Sequence, residues 1–151
     1  GLTYLLPCLQ THSPIDMLVI MLGTNDCKQR FSLTAANIAL GMRRLVKKAL
    51  EAEVWRDKPN ILVIAPGPIL KECELSDVGK NMGICSDKSY EIAKEYELIA
   101  KELGVDFFDS ASCVTMNDID FMHLTADSHK ALAKKVSDII KNTLESKELK
   151  A

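Results

Sequence analysis

Hydrophobic and polar residues follow two rhythms along this chain, and the rhythm changes at glycines and prolines. Asp16 opens and Leu22 closes an apolar run, DMLVIML, which Gly23 breaks. A run of that length without polar alternation is the pattern of a strand covered on both faces. Ile61–Ala65 (ILVIA) is a second run of the same kind, stopped by Pro66-Gly67-Pro68. Residues 105–108 (VDFF) read as a short third strand.

Between these runs the apolar spacing shifts to three and four. Ile38, Met42, Leu45, Val46 and Ala49 share one helical face after Thr34, whose hydroxyl suits an N-cap. Ile92, Tyr96, Ile99 and Leu103 do the same over residues 88–103, and Gly104 fits the position just past that helix. A last helix starts near Thr125 and turns Leu132, Val136, Ile139 and Ile140 inward. The lysine-rich tail after Leu144 reads as its fraying end. At the start of the chain Leu2, Leu5, Leu6 and Leu9 line one face, with Pro7 expected to limit that helix to a short piece. His12-Ser13-Pro14 is a turn signal. Residues 71–87 show no period and contain two glycines, so they read as a long loop of the sort that usually serves a site.

Strands separated by helices of this length require parallel crossovers. The fold class is therefore α/β, a parallel sheet with helices on both faces, built as one domain over residues 1–151.

Composition narrows the function more than the fold. Hydrophobic residues make up 47% and charged residues 26%, with a net charge of −2 and both signs interspersed. That balance argues against a nucleic-acid groove or an anionic membrane surface as partner. The apolar runs are strand-sized, too short to span a bilayer. Cys8, Cys27, Cys73, Cys85 and Cys113 are odd in number and form no CxxC pair. They fit buried thiols in a reducing cytoplasm better than a disulfide framework or a structural zinc site. No cofactor or metal is implied. The chain opens on GLTYLLPCLQ without a methionine or a basic leader, so a missing or processed N-terminus is expected.

Candidate chemistry lies where open α/β sheets place it, beyond the carboxyl ends of the strands. Gly23-Thr24-Asn25-Asp26 follows the first strand. The glycine permits a sharp turn and the asparagine presents an amide donor, although the same residues also make an ordinary turn. Asp120-Phe121-Met122-His123 precedes the last helix. An aspartate three residues before a histidine can hold the imidazole Nδ1–H and leave Nε2 as a general base. It can equally cap a turn beside a histidine that merely packs.

In this order and at these places the two motifs resemble those of the SGNH (GDSL-type) hydrolase family. GTND looks like its G-x-N-D block, and Asp120-x-x-His123 looks like its D-x-x-H block. The phrases PIDMLVIMLGTND and APGP and the run His123 to Ala133 are similar to bacterial arylesterase-like members. The resemblance covers the chain from Gly1 to about Leu144. It implies a flavodoxin-like three-layer sandwich with strand order 2-1-3-4-5, of which strands 1 and 2 would precede Gly1. It also implies acyl transfer on a small-molecule ester by Ser-His-Asp chemistry. His123 would be the base, Asp120 its orienting carboxylate and Asn25 an oxyanion donor on a turn supported by Gly23, Thr24 and Asp26. The family's G-D-S serine and its oxyanion glycine have no counterpart here. Two alternatives accompany this reading: an SGNH-like binding subunit without catalysis, and an unrelated flavodoxin-like ligand binder.

Other residues carry less. Asp109-Ser110 follows a strand but lacks the glycine and comes after the asparagine block, so Ser110 is not expected to be a nucleophile. His129 reads as surface or supporting, His12 as structural, and Trp55 as a packing anchor. Asp118 is not needed once Asp120 pairs with the histidine. The segment with Cys73, Leu75, Met82, Ile84 and Cys85 is a candidate wall for an acyl pocket. As partners the reading expects either a missing N-terminal segment or self-association through the strand at Asp16 and Leu22.

Overall fold

The computed structural model describes residues 1–148. Strands β1 (Leu18–Met21), β2 (Ile61–Ala65) and β3 (Asp106–Asp109) form a parallel sheet in the order β1-β2-β3. Ile20 stands level with Val63, and Val63 with Phe107. Each crossover carries helix, as parallel pairing demands. Helices α1 (Leu2–Thr11) and α2 (Ala35–Leu50) flank β1 in the chain. Helices α3 (Gly79–Met82) and α4 (Ser86–Leu103) lie between β2 and β3, and α5 (Ala126–Glu148) closes the fold.

The central strand is buried at every position, as an all-apolar run predicts. β1 departs from the expectation of cover on both faces. Only Ile20 is buried, and Met21 is 37% exposed. The reason is position: β2 flanks β1 on one side only among the described residues. The strand is also shorter than its apolar run. Asp16 lies outside it and pairs with Arg56 at 2.6 Å.

Side chains alternate across the sheet, so Ile61, Val63 and Ala65 face one way and Leu62 and Ile64 the other. The first set belongs to the core shared with Ile38, Met42, Val46, Ile92 and Tyr96. Every α2 residue assigned inward from spacing is buried. Thr34 caps that helix by accepting from the Asn37 N–H at 3.2 Å, and Asn37 Oδ1 accepts from the Thr34 N–H in return. Gly104 ends α4 in the left-handed conformation, φ +67°.

Three expectations need correction. Residues 71–87 are not a loop. They hold a 3-10 turn at Lys71–Leu75, then α3, then the first turn of α4. The start of α4 was hidden because its cap comes from outside the helix. Glu74 Oε1 accepts the N–H groups of Cys85 and Ser86, both at 3.0 Å, and the Ser86 hydroxyl at 2.6 Å. Pro7 does not stop α1, which runs on to Thr11. It removes one N–H in the second turn, while the Thr11 hydroxyl bonds back to the Pro7 carbonyl at 2.7 Å and Leu9 is buried. Finally, Leu132, Val136, Ile139 and Ile140 of α5 are only half-buried. α2 and α4, by contrast, bury their faces against each other and in the shared core. The end of the lysine-rich tail, residues 149–151, lies outside the described residues. No helix among the described residues is long and apolar enough to cross a membrane.

Candidate active site

The chain leaves β1 at Leu22 and enters a 3-10 turn at Thr24–Cys27 through Gly23, whose φ is +134°. An L-side chain rarely adopts that backbone, and a Cβ there would lie 2.7 Å from the Tyr96 hydroxyl oxygen. Glycine at this position is a steric requirement. It aims the next residues across the carboxyl end of the sheet, where Thr24 and Asn25 line a cavity of about 420 Å³.

On the far side of that cavity the segment before α5 is tied into a closed loop. Met116 and Leu124 form an isolated antiparallel bridge, and the Thr125 N–H donates to the Thr115 carbonyl at 3.2 Å. Inside the loop Asn117 Oδ1 accepts the N–H groups of Ile119 and Asp120 at 2.8 and 2.9 Å. Its amide donates to Asp120 Oδ1 at 3.1 Å and to the His123 carbonyl at 3.0 Å. Phe121 takes a positive φ of 61°, unusual for an aromatic residue, and that conformation carries the chain around the turn.

This turn brings Asp120 to His123. Asp120 Oδ2 lies 2.6 Å from His123 Nδ1, while Oδ1 accepts the N–H groups of Met122 and His123, both at 3.0 Å. The Asp120 side chain is 19% exposed and the imidazole 70%, so the carboxylate is tucked behind a ring that faces out. Burial works against the charge on Asp120. The N–H groups of His123 and Met122 and the imidazole outweigh it and hold the carboxyl well below the usual carboxylate range. An ionised acceptor at Nδ1 places the proton there and leaves Nε2 as the free nitrogen, with no hydrogen-bond partner among the described residues.

Asn25 and His123 line the same cavity, together with Pro66 and Gly67 of the APGP turn. Residues from both motifs therefore meet at one opening. Thr24 joins them there. Gly23 is buried beneath the turn, and Asp26 is exposed and faces a second cleft with Asn37 and Tyr96. His129, one turn into α5, also lines the cavity. The wall expected from residues 71–87 is supplied by Met82, with Val78 and Asn81 beside it. Leu75 and Ile84 are exposed, and Cys73 and Cys85 are buried in the core.

Several remaining side chains behave as their positions suggested. Ser110 is fully buried and donates to the Ala65 carbonyl at 2.7 Å, which rules it out as a nucleophile. Trp55 donates to the Ala49 carbonyl at 3.0 Å at the end of α2, and His12 Nδ1 pairs with the Cys8 carbonyl at 2.8 Å. Burial pushes the Cys27 thiol up to about 11 and the Cys85 thiol to about 12, so neither is a ready thiolate. Among the described residues, no serine or cysteine lines the cavity.

Sequence reasoning missed Asn117, Lys28, Val78 and Asn81. Asn117 had a signal, since an asparagine three residues before an acid in irregular chain is an Asx-turn pattern. Lys28 and Asn81 had none.

No family model and no curated protein matches the chain. Solved structures do. The native aryl esterase of M. smegmatis is similar with a TM-score of 0.83 at 30% identity, over 94% of this chain and 67% of that one. A carbohydrate acetylesterase from Sinorhizobium meliloti gives 0.84 at 32%, over 95% and 68%. A further carbohydrate acetylesterase family member from the same organism gives 0.86 at 28%, over 96% and 69%. The chain spans about two thirds of the length of these structures.

Proposed function

The chain belongs to the SGNH family of esterases, and we propose that it supplies the base, the orienting carboxylate and the side-chain oxyanion donor for hydrolysis of a small-molecule ester. Membership sets aside the reading as an unrelated ligand binder. The observation that carries the proposal is the pairing of Asp120 with His123 at 2.6 Å on a cavity that Asn25 also lines.

In this mechanism an alcohol oxygen attacks the ester carbonyl while His123 Nε2 takes its proton. Asp120 keeps the ring oriented and stabilises the imidazolium. The carbonyl oxygen becomes an oxyanion, to which Asn25 donates its amide N–H, a donor of a kind worth about 10²–10³ in rate. As the tetrahedral species collapses, the C–O bond to the leaving alcohol breaks and His123 returns the proton to it. Water then attacks the acyl group by the same route. Among the described residues the cavity wall offers no serine or cysteine, and the proposal takes the attacking serine from a segment outside these 151 residues. That same feature favours a second reading, a binding subunit that keeps the site and lacks turnover. The five free cysteines support the expectation of a reducing compartment such as the cytoplasm under either reading.

Hydrolysis of p-nitrophenyl acetate and labelling by a fluorophosphonate test the proposal. The full-length protein should hydrolyse the ester and become labelled on a serine outside this chain, and His123→Ala should abolish both. Turnover by the 151-residue chain alone that His123→Ala removes would overturn the external nucleophile. A full-length protein without labelling or turnover would favour the binding subunit.

A further inference from the structure

The cavity shared by Asn25 and His123 has an unbalanced wall. Among the described residues, Lys28, His123 and His129 are its ionisable side chains, and no Asp or Glu lines it. The nearby acids are committed elsewhere. Asp120 sits behind His123 with both oxygens hydrogen-bonded, and Asp26 faces the second cleft.

Lys28 is the unusual member. It stands at the end of the 3-10 turn that carries Asn25, is half-buried, and has no ion-pair partner among the described residues. Lysine ammonium groups are strongly hydrated and are seldom drawn toward a pocket without a counter-charge. Asn81, also on the wall, has its side chain oriented by Arg30, whose guanidinium donates to Asn81 Oδ1 at 2.9 Å. With Oδ1 engaged by Arg30, the Asn81 amide N–H₂ has no partner among the described residues and is available as a donor. Apart from Thr24 and Asn25, the rest of the wall is largely apolar, with Met21, Val78, Met82, Met122 and Leu124. One cation and one oriented amide donor, set on an apolar wall beside the ester-cleaving groups, form a receptor for a carboxylate on a short carbon spacer.

We infer that this site takes esters that carry a free carboxylate, and that Lys28 is the residue that selects them. The inference rests on the proposed function and names its substrate class. Lys28 acts on binding and makes no bond to the reacting carbonyl.

Two small esters of equal shape test it on the full-length protein with its attacking serine replaced by alanine, so that neither ester is consumed. Monomethyl succinate carries the carboxylate, and methyl levulinate replaces it with a neutral acetyl group. Each is titrated at about pH 8, above the usual histidine range, so that lysine supplies the charge. The His123 ring resonances serve as reporter. The succinate should bind about tenfold more tightly than the levulinate, the difference expected of one charge-assisted contact. Lys28→Met should erase that preference, Lys28→Arg should keep most of it, and added salt should shrink it. Equal affinities with Lys28 in place, or a preference that survives Lys28→Met, would overturn the inference and leave the ester site standing. If neither ester moves the His123 resonances, the ester-site reading itself fails and the inference falls with it.

Discussion

Tyr96 donates its phenolic hydroxyl to the carbonyl oxygen of Leu22 at 2.9 Å, tying the middle of α4 to the last residue before the Gly23 turn. The hydroxyl belongs to a fully buried ring, and burial pushes its pKa well above the usual tyrosine value, so it remains a donor. It occupies the space that a side chain at residue 23 would need. The turn that carries Asn25 and Lys28 is thus held from beneath by one bond and shaped by one missing methyl group.

Removing that bond should loosen the turn without unfolding the core. Tyr96→Phe is expected to cost about 1 kcal/mol, the usual net worth of such a hydrogen bond. Gly23→Ala should cost more, because it adds backbone strain to the clash. Since the clashing atom is the hydroxyl that Tyr96→Phe removes, the double variant should be less destabilised than the sum of the two. Denaturant midpoints of the four proteins check this; strict additivity would show that the two residues do not meet as described.

His123→Ala in the full-length protein should lower kcat far more than His129→Ala, although both histidines line the cavity. Only His123 has a carboxylate at its Nδ1. Asn25→Ala should lower kcat by about 10²–10³ with little change in KM, because an oxyanion donor bonds most strongly in the transition state. Steady-state kinetics with p-nitrophenyl acetate decide both points.

Acid should unfold the chain through two named carboxylates. The Ser86 hydroxyl and backbone N–H, with Lys71 and the Cys85 N–H, outweigh burial and hold Glu74 at about 2, down from 4.5. A carboxyl whose folded value lies below its unfolded one stabilises the fold above the ordinary range. That contribution is lost as pH falls from about 4.5 through about 2. Asp120 has the same sign, its folded value also being depressed. Glu74→Gln should cost about 1–2 kcal/mol at neutral pH and flatten the fall in stability over that window. Urea unfolding at several pH values measures it, and an unchanged slope would show that Glu74 does not cap α4.

β1 presents one unpaired edge among the described residues, and beside it a cleft of about 510 Å³ runs between Met17 and Val19 on one side and Ile140 and Leu144 on the other. Apolar edges of this kind recruit further strands. We expect the 151-residue chain to associate with itself or with its upstream segment. Sedimentation coupled to denaturing mass spectrometry checks this, and a stable monomer of the chain mass alone would refute it.

The parts of this protein legible in its sequence are those whose cause is local. The three-to-four spacing of Ile38, Met42, Leu45, Val46 and Ala49 set the buried face of α2, and an unbroken apolar run set the burial of β2. The reach of Asp120 to His123 was legible too, because three residues of irregular chain suffice to close that bond. Tertiary structure decided the rest. Whether β1 is buried depends on its place in the sheet, which its own residues do not encode. The cap of α4 comes from Glu74, the prop of the Gly23 turn from Tyr96, and the cavity wall from Lys28, Val78, Asn81 and Met82. Periodicity reports only which face of an element is apolar. Which remote side chains share a cavity is fixed when parallel crossovers bring the carboxyl ends of separate strands to one side of the sheet.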